Sequence, residues 1–293
     1  MSNTSGWWIG KIVRSAQYLF GGGALQSNSS DFSAASGNGY EQQMGRFSRL
    51  LAPKFLDLIE FEESSNILDA GCGTGALTSE ILRRTKTANI TGIDISEAYV
   101  EYATGEISNP RVSFKAADLT ALPMPDETFD HVVSQLVLNF VPNTSVALSE
   151  LLRILKPGGR LAVAIWDVRG GLVFNRFFLD TAAMLDPEAN ELRKKNFTRP
   201  LTRPGHLETA LRSAGVAEVQ IGEIHIRTEF ASFEDYWRPF DGTDGPIPVY
   251  LSKRPADLKG RIKAAVRDAF LDGEADGPRS YAATAWVASG RRR

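Results

Sequence analysis

Three aspartates and a run of glycines carry the first chemical signal in the chain. Asp69 precedes Ala70-Gly71-Cys72-Gly73-Thr74-Gly75-Ala76. Glycines at 71, 73 and 75 let the backbone turn tightly and let a ligand lie against the main chain where a Cβ would block it. The same run satisfies G-x-G-x-x-A, a dinucleotide fingerprint, so the glycines alone do not choose a ligand. Asp69 argues the choice, because a carboxylate two residues before the first glycine would face a pyrophosphate with like charge, at a cost of about 1 kcal/mol or more at close range. An ammonium placed there would be attracted instead. Asp94, in Gly92-Ile93-Asp94-Ile95, can accept from both hydroxyls of a ribose. Asp118, in Ala117-Asp118-Leu119, can accept from an exocyclic adenine amine, with Ile95 and Leu119 as apolar walls for the ring.

Acids so spaced suit a cationic, phosphate-free adenosine compound, and S-adenosylmethionine has that inventory. The elements that must position them follow from short apolar runs alternating with helical patterns. Strands are expected over 66–70, 90–95, 112–116, 129–135 and 160–165, and helices over 76–84, 96–106 and 143–155. The last helix is expected to stop at the breakers Lys156-Pro157-Gly158-Gly159. Such alternation makes right-handed crossovers and a doubly wound α/β fold with a mostly parallel sheet. Ligands of these sheets bind beyond the carboxyl ends of the strands, which is where Asp69, Asp94 and Asp118 fall.

The run Asn66-Ile67-Leu68-Asp69-Ala70-Gly71-Cys72-Gly73-Thr74-Gly75, followed by Gly92-Ile93-Asp94, Ala117-Asp118-Leu119, Leu122-Pro123-Met124-Pro125-Asp126-Glu127-Thr128-Phe129-Asp130 and Leu155-Lys156-Pro157-Gly158-Gly159, resembles the class I S-adenosylmethionine-dependent methyltransferases. Within them it resembles most the branch containing the ubiquinone and menaquinone C-methyltransferases, specifically over about residues 40–167. The resemblance implies a seven-stranded sheet whose last strand is antiparallel, expected over 281–289. It implies that Asp69, Gly71, Gly73 and Gly75 line the methionine end of the cofactor, Asp94 and Ile95 the ribose and ring, Asp118 and Leu119 the adenine, and Gln135 the edge of the methyl-transfer site. Tyr40 and Arg46 resemble residues that cover the cofactor. Where such enzymes often carry a histidine, this chain has Asn139, which removes a proton acceptor from that point.

Methyl transfer from a sulfonium needs two oriented reactants and little water, so a base is optional. Candidates for the reacting centre are Asn139 beyond the fourth strand, Trp166 and Asp167 beyond the fifth, and Tyr40. His131 lies inside a strand and reads as structural, while His206 and His225 lack a companion at ligand spacing, so no metal site is expected. Cys72 reads as a small loop residue with no histidine near it in sequence, and Asp130 as the fixer of a turn. Two alternatives remain open on the residues alone: an NAD-dependent oxidoreductase, disfavoured by Asp69 and by the lack of a Tyr-x-x-x-Lys pair, and a non-catalytic cofactor-binding protein on the same fold.

Composition bounds the rest. The chain has 293 residues, formal net charge -2, pI near 6.0 and one cysteine, so no intrachain disulfide can form and no global field draws nucleic acid. The cytosol is the default compartment, and a small-molecule acceptor the expected partner. Residues 1–39 read as an N-terminal extension: 7–20 is too short and too charged to span a bilayer, and reads as a helix that docks on the protein or lies on a membrane surface. Residues 21–40 hold twelve Gly, Ser or Asn, a linker composition. Beyond the core at 40–167, residues 168–250 read as a cap that sets specificity, with Phe174, Phe177, Phe178, Phe230, Tyr236 and Trp237 as either the roof of an apolar acceptor pocket or the core of the cap. Residues 251–293 are expected to supply a helix over 256–270, whose basic face reads as solvated, and the last strand.

Overall fold

The computed structural model describes residues 37–293. The readings made for the helix over 7–20 and most of the linker lie outside the described residues. The first described helix, α1 (Gly37–Tyr40), passes through a π-helical turn (Glu41–Gly45) into α2 (Arg46–Leu56). Phe47, Leu51 and Phe55 recur every fourth residue and form its buried stripe, whereas Leu50 and, just past the helix, Leu58 are half exposed.

Then the alternation begins: β1 (Asn66–Ala70), α3 (Ala76–Arg84), β2 (Asn89–Asp94), α4 (Glu97–Glu106), β3 (Val112–Ala116), β4 (Phe129–Gln135), a 3-10 turn (Leu138–Phe140), α5 (Thr144–Ile154) and β5 (Leu155–Trp166). Gly75 starts α3 at φ +90, and the Ser96 hydroxyl starts α4 by accepting from the Tyr99 N–H. The stretch Lys156-Pro157-Gly158-Gly159 does not lie in a loop after α5; it is a bulge inside β5. Leu155 pairs with Phe129 and Arg160 with His131, so the four residues are looped out of the register.

The chain continues through α6 (Val173–Leu185), α7 (Pro187–Phe197), α8 (His206–Ser213), β6 (Ala217–Phe230), α9 (Phe233–Trp237), a 3-10 turn (Arg238–Asp241), α10 (Pro246–Ser252), α11 (Ala256–Leu271) and β7 (Arg279–Arg291). The seven strands form one sheet in the order β3-β2-β1-β4-β5-β7-β6. Pairings among β1 to β5 are parallel, and β7 runs antiparallel between β5 and β6. Residues 168–250 are therefore not a single cap. β6 inside that stretch is a strand of the sheet, and Leu207 and Leu211 of α8 belong to the core beneath it. What stands over the strand tips is α6, α7 and the segment from α9 to α10.

Side chains alternate across a strand, and β5 divides accordingly. Leu161, Val163 and Ile165 enter one apolar core with α5 and α8, while Ala162, Ala164 and Trp166 enter the other with α2, α6 and α11. Trp166 thereby ends β5 on the face that carries the aromatic residues. Among the described residues no helix is long and apolar enough to cross a membrane.

Candidate active site

Order reversal between β2-β1 and β4-β5 opens a crevice at the carboxyl ends of β1 and β4, and the glycine loop turns there. Four of its N–H groups are spent inside the protein. Those of Gly71 and Cys72 donate to the Ile93 carbonyl at 2.7 and 2.8 Å, that of Gly75 to the Cys72 carbonyl at 2.9 Å, and that of Gly73 to Asp94 Oδ2 at 2.9 Å. A loop whose amides are so occupied is not a phosphate cradle. The Asp69 carboxylate, expected to face the ligand, does not present a simple negative charge there. Asp69 is buried below the loop, Oδ2 accepts from the Thr78 hydroxyl at 2.6 Å, and burial pushes its pKa up to about 7. Its Oδ1 is buried with no partner.

A cavity with about 870 Å³ of open space lies over the loop, bordered by Tyr40, Gly71, Gly73, Asp94, Ile95, Asp118 and Leu119. Seven expected cofactor contacts thus meet in one place. Asp94 also accepts from the Ser96 N–H at 2.9 Å, and burial raises its pKa. Asp118 Oδ1 is steadied by the Thr120 N–H and hydroxyl, both at 2.8 Å. Tyr40 covers Gly73; its hydroxyl lies 3.1 Å from Ser48 Oγ and burial pushes it up to about 12, so it remains a neutral phenol. Glu41 in the π-helical turn ties the cover to the loop by accepting from the Thr74 hydroxyl.

Besides Asp69 and Asn139, four expected site residues do not border this cavity. Gly75 turns the backbone at the head of α3, where a Cβ would lie 2.6 Å from Ile107. Gln135 donates to the Ser48 carbonyl at 3.1 Å and so anchors α2 without bordering the cavity. Arg46 borders a second chamber, not the first. Asp167 borders neither; its Oδ1 accepts from the N–H groups of Arg169 and Gly170 at 3.0 and 3.1 Å and closes a turn.

The second chamber, with about 810 Å³ of open space, adjoins the first at Met44, Phe140 and Trp166, which border both. Phe174, Phe230, Tyr236 and Phe240 give it an aromatic roof, and the same rings pack on one another, with Tyr236 and Phe270 stacked at 4.9 Å. Both readings of the aromatic cluster therefore apply at once. Asn139 lies on this chamber and is nearly fully buried.

Tyr99 and Asp244 were missed from sequence. Tyr99 borders the first cavity, and its hydroxyl donates to Asp244 Oδ1 at 2.8 Å from a loop before α10. An aromatic residue one turn after the Asp94 strand tip was the available signal for Tyr99; nothing in the sequence pointed to Asp244. His131 is buried in β4 against Glu62, and Cys72 is buried with its thiol pushed up, so neither is a nucleophile or base here. No group of metal-ligating side chains is found among the described residues.

A methyltransferase domain family matches residues 68–163, the span from β1 to β5 that builds the first cavity. Over that span the chain is similar to methyltransferases. It is 34% identical over 125 residues to a ubiquinone/menaquinone biosynthesis C-methyltransferase of Geobacter sulfurreducens, covering 41% of this chain and 49% of that one. It is 44% identical over 107 residues to a 2-methyl-6-phytyl-1,4-hydroquinone methyltransferase of Synechocystis, covering 36% and 33%. The chain thus spans half or less of the length of these relatives. In fold it is similar to the YcgJ protein of Bacillus subtilis, with TM-score 0.54 at 18% identity over 85% of this chain and 99% of that one. It is also similar to a Haemonchus contortus phosphoethanolamine N-methyltransferase solved with S-adenosyl-L-methionine, with TM-score 0.54 at 14% identity over 89% and 61%.

Proposed function

We propose that the chain transfers a methyl group from S-adenosylmethionine to a small apolar or aromatic acceptor. The observation that carries this reading is that Asp94 and Asp118, from consecutive strand tips, border one cavity that opens onto an apolar chamber, over a glycine loop whose amides are already bonded. That donor set fits a nucleoside without phosphates: Asp94 for the ribose hydroxyls, Asp118 for the adenine amine, Ile95 and Leu119 for the ring faces. The names of the two quinone-ring relatives support an aromatic acceptor.

When bound, the cofactor supplies an electrophilic methyl carbon beside a positive sulfur. The chain's own contribution is orientation and exclusion of water, which in favourable systems is worth roughly 7 to 11 kcal/mol. Asp94 would hold the ribose and Tyr40 and Met44 would cover the cofactor, and Trp166 and Phe140 border both chambers where they meet. Arg46 and Tyr236 are the titratable residues on the second chamber among those described; Tyr236 donates to the Phe174 carbonyl at 3.0 Å and burial holds it far above its usual range. Tyr236 therefore offers no base, and no carboxylate, histidine or lysine borders the chamber among the described residues, so the acceptor must arrive with its nucleophile ready.

Titration calorimetry with S-adenosylhomocysteine tests the cofactor: micromolar binding is expected, with none for NADH. Protein that is folded yet gives no heat with the homocysteine compound would refute the proposal. Methyl-labelled cofactor incubated with a metabolite extract then reports the acceptor.

A further inference from the structure

Arg46 enters the second chamber from the start of α2 with its guanidinium held on three sides. Its central carbon lies 4.8 Å from the ring centroid of Phe47 and 4.7 Å from that of Phe230, and Nη1 donates to both oxygens of Asp235 at 3.1 and 3.3 Å. Nε and Nη2, which share the remaining edge, are buried and have no partner. Two parallel N–H groups on one edge of a rigid plane match two oxygens of a planar anion. A lone hydroxyl would leave one of them unsatisfied, and an orphaned buried donor costs about 1–3 kcal/mol.

Other side chains on the chamber agree. Trp166 Nε1 and Asn196 Nδ2 are buried donors without partners, against one such acceptor, Asn139 Oδ1, and all three residues are more than nine-tenths buried. An excess of donors calls for an oxygen-rich ligand. No carboxylate, histidine or lysine borders the chamber among the described residues, so a nucleophile that still had to lose a proton would find no base there.

We propose that the acceptor is an apolar molecule bearing a planar pair of oxygens that share one negative charge, a carboxylate or an acidic enol, and that the Nε–Nη2 edge of Arg46 selects it. The inference rests on the methyltransferase reading of the adjoining cavity. Such an anion arrives ionised: an oxygen lone pair forms the O–CH3 bond, the S–CH3 bond breaks with its electron pair going to sulfur, and no proton moves.

The test is calorimetry on the full chain saturated with S-adenosylhomocysteine, with 1-naphthoate as the carboxylate, 2-acetyl-1,3-cyclohexanedione, whose acyl and ring oxygens lie side by side, as the enol and 1-naphthylmethanol as the neutral probe. At least one anion should bind about tenfold or more tighter than the alcohol, and comparing the two identifies the source. Arg46→Met should abolish that preference. Arg46→Lys, which keeps the charge but has no parallel N–H pair, should lose most of it, and both variants should hold S-adenosylhomocysteine within about threefold of the parent. Absence of any anion preference in the unaltered protein overturns the inference. Loss of S-adenosylhomocysteine binding in both variants also overturns it, because the edge would then serve the cofactor. If the unaltered protein binds no S-adenosylhomocysteine, the methyltransferase reading itself has failed.

Discussion

Replacing Asp94 by alanine should weaken cofactor binding far more than it weakens the fold, and the structure sets the size of both effects. In the folded chain the carboxylate accepts from Gly73 and Ser96, each at 2.9 Å. Net hydrogen bonds of this kind contribute about 1 kcal/mol each, and water from the open cavity can replace part of them, so a loss of about 1–2 kcal/mol is expected. In a chain of this length that lowers the unfolding midpoint by roughly 2 to 8 °C. The ligand loses more. Two ribose hydroxyls on an ionised acceptor are worth about 1.5–3 kcal/mol each, and after water fills the gap about 2–4 kcal/mol remain, roughly 30- to 1,000-fold in Kd. Asp94→Asn, which keeps one acceptor oxygen, should fall between. Calorimetry with S-adenosylhomocysteine on variants shown to be folded by circular dichroism measures this. A folded Asp94→Ala protein with Kd changed less than about threefold would show that the carboxylate does not touch the ribose.

Two further outcomes follow from the same loop. Asp69 titrates near 7 in the folded chain, above its unfolded value of about 3.9, so the folded state holds the extra proton and stability falls as pH rises through that window. Between about pH 5 and about pH 8 the parent should lose roughly 2–3 kcal/mol that Asp69→Asn does not lose, measured by denaturant unfolding, and parallel profiles would refute the assignment. Gly71 sits at φ +81, and an added Cβ would lie 2.3 Å from the Val137 side chain. Gly71→Ala should therefore cost about 2–5 kcal/mol from backbone strain and crowding, and Val137→Ala in the same chain should restore part of it; an unchanged melting midpoint in the single variant would contradict the geometry.

The strand tips were legible because two local rules agree there. Apolar runs of strand length end in residues whose chemistry has no use in a core, and Asp69, Asp94 and Asp118 each mark such an end. Sequence reading placed β1, β3, β4 and α3 at their observed limits for the same reason. It failed where the deciding partner is remote. β6 carries charges on alternate residues and is exposed along much of its length, so it lacks the unbroken apolar run of the central strands and was absorbed into the cap. The Lys156–Gly159 bulge pairs across strands through the Arg292 backbone, a contact no local pattern announces. Asp69 was read as facing the ligand, but burial and the Thr78 hydroxyl turn one of its oxygens inward.

Tyr99 and Asp244 show how the two chambers are made to depend on one another. Asp244 is a nearly buried carboxylate, an expensive group unless bonded, and its oxygens accept from the Tyr99 and Thr243 hydroxyls at 2.8 and 3.1 Å. Burial beside that carboxylate drives the Tyr99 phenol far above its usual range, so it stays a donor at any physiological pH. The same tyrosine ring borders the first cavity and meets Tyr40 at 5.1 Å. Arg46 on α2 makes a second tie, to Asp235 on α9. The segment over the second chamber is thus fastened by polar bonds to α4, which borders the first cavity, and to α2, whose Arg46 borders the second. An apolar contact could slide, whereas a buried carboxylate accepts few positions for its donor, so these ties fix the roof's register over the strand tips. In the proposed reaction, orientation would rest on bonds whose partners Arg46, Asp235 and Asp244 lie outside the matched span 68–163.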